Sequence, residues 1–155
     1  MKTDALSALN DVFTRVLEDY AFMFGDLLEE NHAPPADDRW VRAAMSFHGP
    51  IRGGLAITAP ERFGGEVAAN VLGIDAEAPE SEKAAVDALK ELLNITCGNL
   101  LTSIAGDEPV FDLTVPEVTD VTEQQWRAMG NAPATVGLQV EEWPVFISLS
   151  LENLK

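Results

Sequence analysis

Twice along the 155 residues, a stretch with helical spacing of apolar side chains gives way to stretches of strict alternation. The two periodicities, about 3.6 and 2 residues, cannot share one conformation, so their order constrains the fold more than composition does. The first helical stretch, residues 4–30, spaces Leu6, Leu9, Val12, Phe13, Val16, Leu17, Tyr20 and Phe24 along one face, and Gly25 weakens its end. "NHAPPADD" at 31–38 reads as a loop. Alternation follows, with Val41, Ala43, Met45 and Phe47 facing one way and Arg42, Ser46 and His48 the other, the pattern of a half-buried strand. "GPIRGG" at 49–54 turns the chain into a second alternating run, Leu55, Ile57 and Ala59, which Pro60 stops. "ERFGGEVAANVLG" reads as a short helix closed by Gly73.

The second unit repeats the scheme. After "IDAEAPESEKAA", with Ser81 as the expected N-cap, a long helix runs to about Ala105 and stops at Gly106. "PVFDLTVPEV" reads as a strand ended by Pro116. Residues 119–133 form a polar connection anchored by Trp126 and Met129, and "ATVGLQVEEW" and "VFISLSLENL" are alternating strands joined near Trp143 and Pro144. This order predicts an α+β fold in a single domain over 1–155. Two long helices form one layer on a mostly antiparallel sheet, with a weak internal duplication. The C-terminal strand has no proline or internal charge guarding it, so it is expected to be an edge through which two sheets join in a homodimer.

Charge narrows the function. Ten basic residues against 26 acidic ones give a formal net charge of -16, which excludes nucleic acid and anionic membranes as partners, since both need a basic surface. No apolar run reaches the roughly 18 residues that span a bilayer. The N-terminus lacks a signal-peptide layout, so the expected location is cytoplasmic. The lone cysteine, Cys97, forms no internal disulfide and is expected to pack as a small apolar side chain. His32 and His48 are isolated and form no metal-ligand cluster. "GPIRGG" lacks the lysine and the strand-to-helix setting of a phosphate loop.

The remaining signal lies in "DALKELLNITCGNLL", residues 87–101 of the long helix. Asn94 and Gly98 are poorer helix formers than alanine by roughly 0.6 and 1 kcal/mol. With about 100° per residue, and Asp87 at zero, Glu91 falls near +40°, Asn94 near -20° and Gly98 near +20°. Leu89, Leu92, Leu93, Leu100 and Ile104 cluster on the opposite side, at about 140–260°. The helix is therefore expected to bury its leucines and to turn Asp87, Glu91, Asn94 and Gly98 outward, flanked by Ile95 and Leu101. Such a strip is a docking surface on which Gly98 allows close approach.

This helix resembles the signature helix of the CheX and CheC chemotaxis phosphatases, in which an acid or serine is followed by Glu-x-x-Asn and then by a Gly-Asn pair. Asp87, Glu91, Asn94, Gly98 and Asn99 fall in register with it. Pro116 stands at about the family's distance after the asparagine, and "SFHGPIRGGLAITAP" with the helix ending "VLGID" is similar to the family's hairpin and second helix. The resemblance spans about residues 5–152 and implies a CheC-like fold. In the first half, "TRVLEDYA" offers Thr14 and Glu18 but Ala21 where a second site needs asparagine, so the single-site CheX form fits better.

The resemblance implies a phosphatase acting on the phosphoryl-aspartate of a CheY-type receiver domain. Such in-line hydrolysis mostly requires one held water, which a carboxamide can orient without repelling the phosphoryl group. Asn94 takes that role, and Glu91 pairs with the receiver lysine. Asp87, Ile95, Gly98 and Leu101 line the partner surface, and Asn99, near +120° at about 100° per residue, is structural. The receiver supplies Mg²⁺, and the chain needs no cofactor of its own. The resemblance also implies a homodimer. A non-catalytic phospho-receiver-binding or flagellar-switch-like module is the alternative use of the same face.

Overall fold

The computed structural model describes residues 2–28, 39–129, 132 and 134–152. The loop read at 31–38, with His32, lies outside the described residues. The first half contains α1 (Lys2–Ala21), β1 (Gly25–Leu27), β2 (Trp40–His48), β3 (Gly53–Pro60) and α2 (Glu61–Leu72). A short helix, α3 (Pro79–Lys83), leads into α4 (Ala85–Ala105). Then come β4 (Asp112–Leu113), β5 (Glu117–Val121), α5 (Glu123–Met129), β6 (Thr135–Val140) and β7 (Trp143–Leu151).

Every described strand pair is antiparallel, and the strand order is β1-β6-β7-β3-β2-β4, with β5 also pairing β2. The order has the same form from either end. β7 and β3 lie at the centre, β6 and β2 flank them, and each half's first strand pairs with the other half's hairpin. The duplication read from the periodicities is therefore an interlocked one. Val41, Ala43, Met45 and Phe47 of β2, Leu55, Ile57 and Ala59 of β3, and Val145, Ile147 and Leu149 of β7 share a core with Leu9, Phe13 and Leu17 of α1 and Leu89, Leu93 and Leu100 of α4. Their alternation puts all the strand members on the helix-bearing face.

Several boundaries differ from the sequence reading. The first helix ends at Ala21, not near residue 30. Phe22 adopts a left-handed conformation (φ 57°), and the Met23 N–H donates to the Leu17 carbonyl at 3.0 Å. Beyond that point Met23 is buried while Phe22 and Phe24 are 65% and 66% exposed, so Phe24, counted on the buried helical face, stands in solvent. Ser81 is not the N-cap of the long helix. It is buried inside α3, and its hydroxyl donates to the Asp75 carbonyl at 2.7 Å, while Ala84 caps α4. Pro116 does not end one strand but separates two. β4 pairs with the Phe47–His48 end of β2 and β5 with its Trp40–Ala44 end. Between them the Ser46 N–H donates to the Thr114 hydroxyl at 2.8 Å, and Thr114 N–H to the Ser46 carbonyl at 3.0 Å, so the ladder survives a residue with no N–H.

The connection after β5 contains a helix. Its Trp126 stacks on Trp40 with ring centroids 5.2 Å apart, and by alternation Trp40 lies on the face opposite Val41. A small second layer therefore covers part of the sheet's other face. The C-terminal strand is not an edge either: β7 is hydrogen-bonded on both sides, to β6 and β3. Among the described residues, the sheet ends at β1 on one side and at β4 and β5 on the other.

α2 holds α4 in place through close backbone approach. A Cβ on Gly64 would lie 2.6 Å from the Ala85 carbonyl oxygen and 2.9 Å from Leu89 Cγ. Gly73 (φ 70°) closes α2 in the left-handed conformation and donates its N–H to the Ala69 carbonyl. Gly64→Ala is expected to push the two helices apart and lower stability by about 1–3 kcal/mol, the cost of overpacking a filled contact. A urea unfolding midpoint measured beside the wild type checks this.

Candidate functional site

The site is built on α4, where leucine and alanine at helical spacing favour the helix and fix its rotation. Leu89, Leu92, Leu93, Cys97 and Leu100 are each at most 1% exposed. Burial raises the Cys97 thiol to about 11, so Cys97 is an apolar filler, as its sequence setting implied. That rotation leaves Asp87, Glu91, Asn94 and Gly98 exposed along one line. Among the described residues, the side chains of Asp87, Glu91 and Asn94 make no hydrogen bond or ion pair, so their polar ends face solvent. A Cβ added to Gly98 meets nothing within 4 Å.

The two apolar shoulders separate. Ile95 is half-buried against the core, whereas Leu101 is only 4% exposed and belongs to the core, so it does not flank an open strip. A helical wheel gives every turn the same surroundings, but α4 packs against α1, α2, β2, β3 and β5 at different points along its length. Asn99 is exposed, with its Nδ2 donating to the Ile95 carbonyl at 2.8 Å, so its amide is tied to its own helix.

The first helix can now be set beside α4. Aligning their last residues, Ala21 and Ala105, superposes buried Ala5, Leu9, Phe13 and Leu17 on buried Leu89, Leu93, Cys97 and Leu101. In this register Ser7 and Asn10 stand where Glu91 and Asn94 stand. The earlier comparison through Thr14, Glu18 and Ala21 is displaced by three helical turns, which leaves the apolar pattern almost unchanged. Ala21 is fully buried and could not belong to a surface site. α1 therefore retains an asparagine but offers serine in place of the glutamate.

Two residues of α1 join the site without having been singled out. An open groove of about 730 Å³ runs between α1 and α4, with Arg15 and Tyr20 on one wall and Ile95, Gly98 and Asn99 on the other. Tyr20 read as a core position; it is half-buried, and its phenol is raised above its ordinary value by burial and then by the Glu91 carboxylate. Only the packing of α1 on α4 brings the two together. His48 accepts a 3.3 Å hydrogen bond at Nδ1 from Arg52 Nε, and among the described residues no three His, Cys, Asp or Glu side chains gather as metal ligands. No described helix is long and apolar enough to cross a membrane.

Comparison with known proteins gives the family and the fold. The family described as chemotaxis phosphatase CheX matches residues 41–137, more than half of the chain. The chain belongs to the CheX family. Comparison with curated protein sequences yields no match. Among solved structures, a CheX from Vibrio vulnificus is 18% identical with a TM-score of 0.69, covering 98% of this chain and 99% of its own. A CheC-like superfamily protein from Shewanella sp. PV-4 is 24% identical with a TM-score of 0.63, covering 99% and 100%. CheX in a CheX-CheY-BeF3-Mg complex from Borrelia burgdorferi is 17% identical with a TM-score of 0.61, covering 94% and 96%. At these identities the likeness establishes the fold, which is the CheC-like α+β fold expected from the sequence.

Because Gly98 lies in open space inside a helix, Gly98→Ala is expected to raise stability by about 1 kcal/mol, the helix-propensity difference between the two residues. A higher denaturant midpoint at unchanged slope is the outcome to look for.

Proposed function

We propose that this chain hydrolyses the phosphoryl-aspartate of a CheY-type receiver domain. The observation that carries the reading is the exposed Asn94 carboxamide one turn from the exposed Glu91 carboxylate, neither with a hydrogen-bond or ion-pair partner among the described residues. An acyl phosphate needs little covalent help. Its hydrolysis is limited by placing a water in line with the leaving carboxylate. The Asn94 oxygen accepts a hydrogen bond from that water, and its amide nitrogen, a donor, faces the phosphoryl oxygens. A carboxylate at this position would repel them. Glu91 pairs with the receiver's active-site lysine and sets the register of docking. Asp87, Ile95 and the bare backbone at Gly98 form the surrounding contact, from which Leu101 is withdrawn by burial.

Mg²⁺ belongs to the receiver in this scheme. The Borrelia burgdorferi structure holds CheX together with CheY, BeF3 and Mg, which supports a receiver as the partner class. Homodimerisation remains part of the proposal, with the edge reassigned. Phe22, Phe24 and Leu27 lie exposed in and beside β1, the outermost strand on its side among the described residues, whereas the C-terminal strand is enclosed. Leu27→Asp is then expected to convert a dimer to a monomer by light scattering.

The decisive measurement follows radiolabelled phosphate on a panel of receivers from the same organism. The wild-type protein shortens the lifetime of one of them, and Asn94→Ala reduces that acceleration on the order of 100-fold or more with the fold intact. Undiminished acceleration by the mutant would remove Asn94 from the mechanism. A wild type that binds the receiver yet leaves or lengthens its phosphoryl lifetime would make the chain a binding module. Gly98→Leu is expected to weaken complex formation without lowering thermal stability, because the side chain fills the space a partner uses.

A further inference from the structure

The geometry points to α1 as the second wall of the receiver-docking surface, with Arg15 as a specificity contact for an acidic side chain on the rim of the partner's phosphorylated pocket. The inference rests on the receiver-phosphatase reading and extends it to a helix that carries no intact signature of its own. Its first support is geometric. An interface of ordinary size buries about 800 Å² on each partner, a disc of roughly 16 Å radius. Centred on Asn94, that disc reaches Gly98 and Thr102 at about 6 and 12 Å along the helix. It also reaches α1, whose axis lies about 8–10 Å away for packed helices. Gly98, Asn99 and Thr102 line the groove from α4, and Arg15 and Tyr20 line it from α1. A receiver seated on Asn94 therefore covers the groove.

Charge is the second support. The chain carries a formal charge of -16, and the pocket it must approach holds an acyl phosphate and the carboxylates that bind Mg²⁺. A cation within about a Debye length of the contact, roughly 8 Å at physiological salt, offsets the repulsion between two such surfaces. α1 and α4 contain three basic residues, Lys2, Arg15 and Lys90, of which Arg15 lines the groove. Asp19 lines the groove as well, and Asp11 and Glu18 line the adjoining hollow, yet among the described residues Arg15 forms no ion pair with any of them, and its side chain is exposed. Its guanidinium is available to a partner carboxylate in the two-pronged geometry that lysine cannot reproduce. Tyr20 on the same wall supplies a half-buried aromatic surface, and arginine and tyrosine are, with tryptophan, enriched among the residues that carry binding energy at interfaces.

The test measures the dissociation constant of the full-length chain for beryllofluoride-loaded receivers across a range of salt concentrations. In parallel, phosphate release is followed from the phosphorylated forms. Arg15→Gln is expected to weaken binding about tenfold, to flatten its salt dependence and to leave kcat at saturating receiver unchanged. Arg15→Lys should restore the salt dependence but only part of the affinity. Circular dichroism confirms that both variants fold. If the wild type binds a receiver and Arg15→Gln binds it equally well with the same salt dependence, α1 is not part of the surface, although the phosphatase reading stands. If the wild type binds no loaded receiver and accelerates no phosphate release, the reading and the inference fall together.

Discussion

The rotation of α4 about its own axis is the constraint on which the candidate site depends. Five side chains, Leu89, Leu92, Leu93, Cys97 and Leu100, are almost completely removed from water. At about 1.5–3 kcal/mol for each buried leucine, turning the helix by one residue would forfeit several times the stability that Asn94 and Gly98 cost through their poor helix propensity, about 1.6 kcal/mol together. Burial thus decides which way the polar strip points. Gly64 adds a second restraint, because its missing side chain lets α2 lie directly on the start of α4. The strip does not have to contribute to stability, and its residues are free to serve a partner.

Much of this was legible in the chain because it depends on local periodicity. Strict alternation in 41–47 and 55–59 located the central hairpin, and the glycines at 73 and 106 marked the two helix ends that the structure shows. The exposed line Asp87, Glu91, Asn94 and Gly98 also followed from counting alone. What escaped was set by tertiary contacts. Phe24 keeps helical spacing with Tyr20 but lies beyond the helix, since the chain must turn after Ala21 to supply β1. Trp126 was recognisable as an anchor, but its seat on Trp40, across the sheet from the main core, was not. Leu101 sits on the polar side of an ideal wheel and is nevertheless buried, as is its counterpart Leu17 on α1.

The functional reading divides along the same line. The signature residues lie on one helix, within one local period, so their arrangement could be worked out before any tertiary structure was known. Arg15 and Tyr20 come from a helix more than seventy residues away in sequence, and neither belongs to a pattern that distinguishes it from an ordinary amphipathic position. The register of the two long helices was ambiguous for a related reason. Shifting one by three turns leaves the apolar face almost unchanged, so only the observed helix ends could show that Asn10, rather than Ala21, is the counterpart of Asn94.

The exchange of first strands between the halves has a consequence for how the two copies could diverge. Neither half owns a complete sheet: β1 completes the edge beside β6, and β4 and β5 complete the edge beside β2. A change in the core of one half is therefore felt in the layer that supports the other, which couples the interior of both copies. Their outward faces carry no such coupling. Within this single chain the interior pairs, such as Leu9 with Leu93 and Leu17 with Leu101, remain alike, while the surface pair Ser7 and Glu91 has parted. A duplicated fold joined in this way is free to diverge at its surfaces while its interior is held alike.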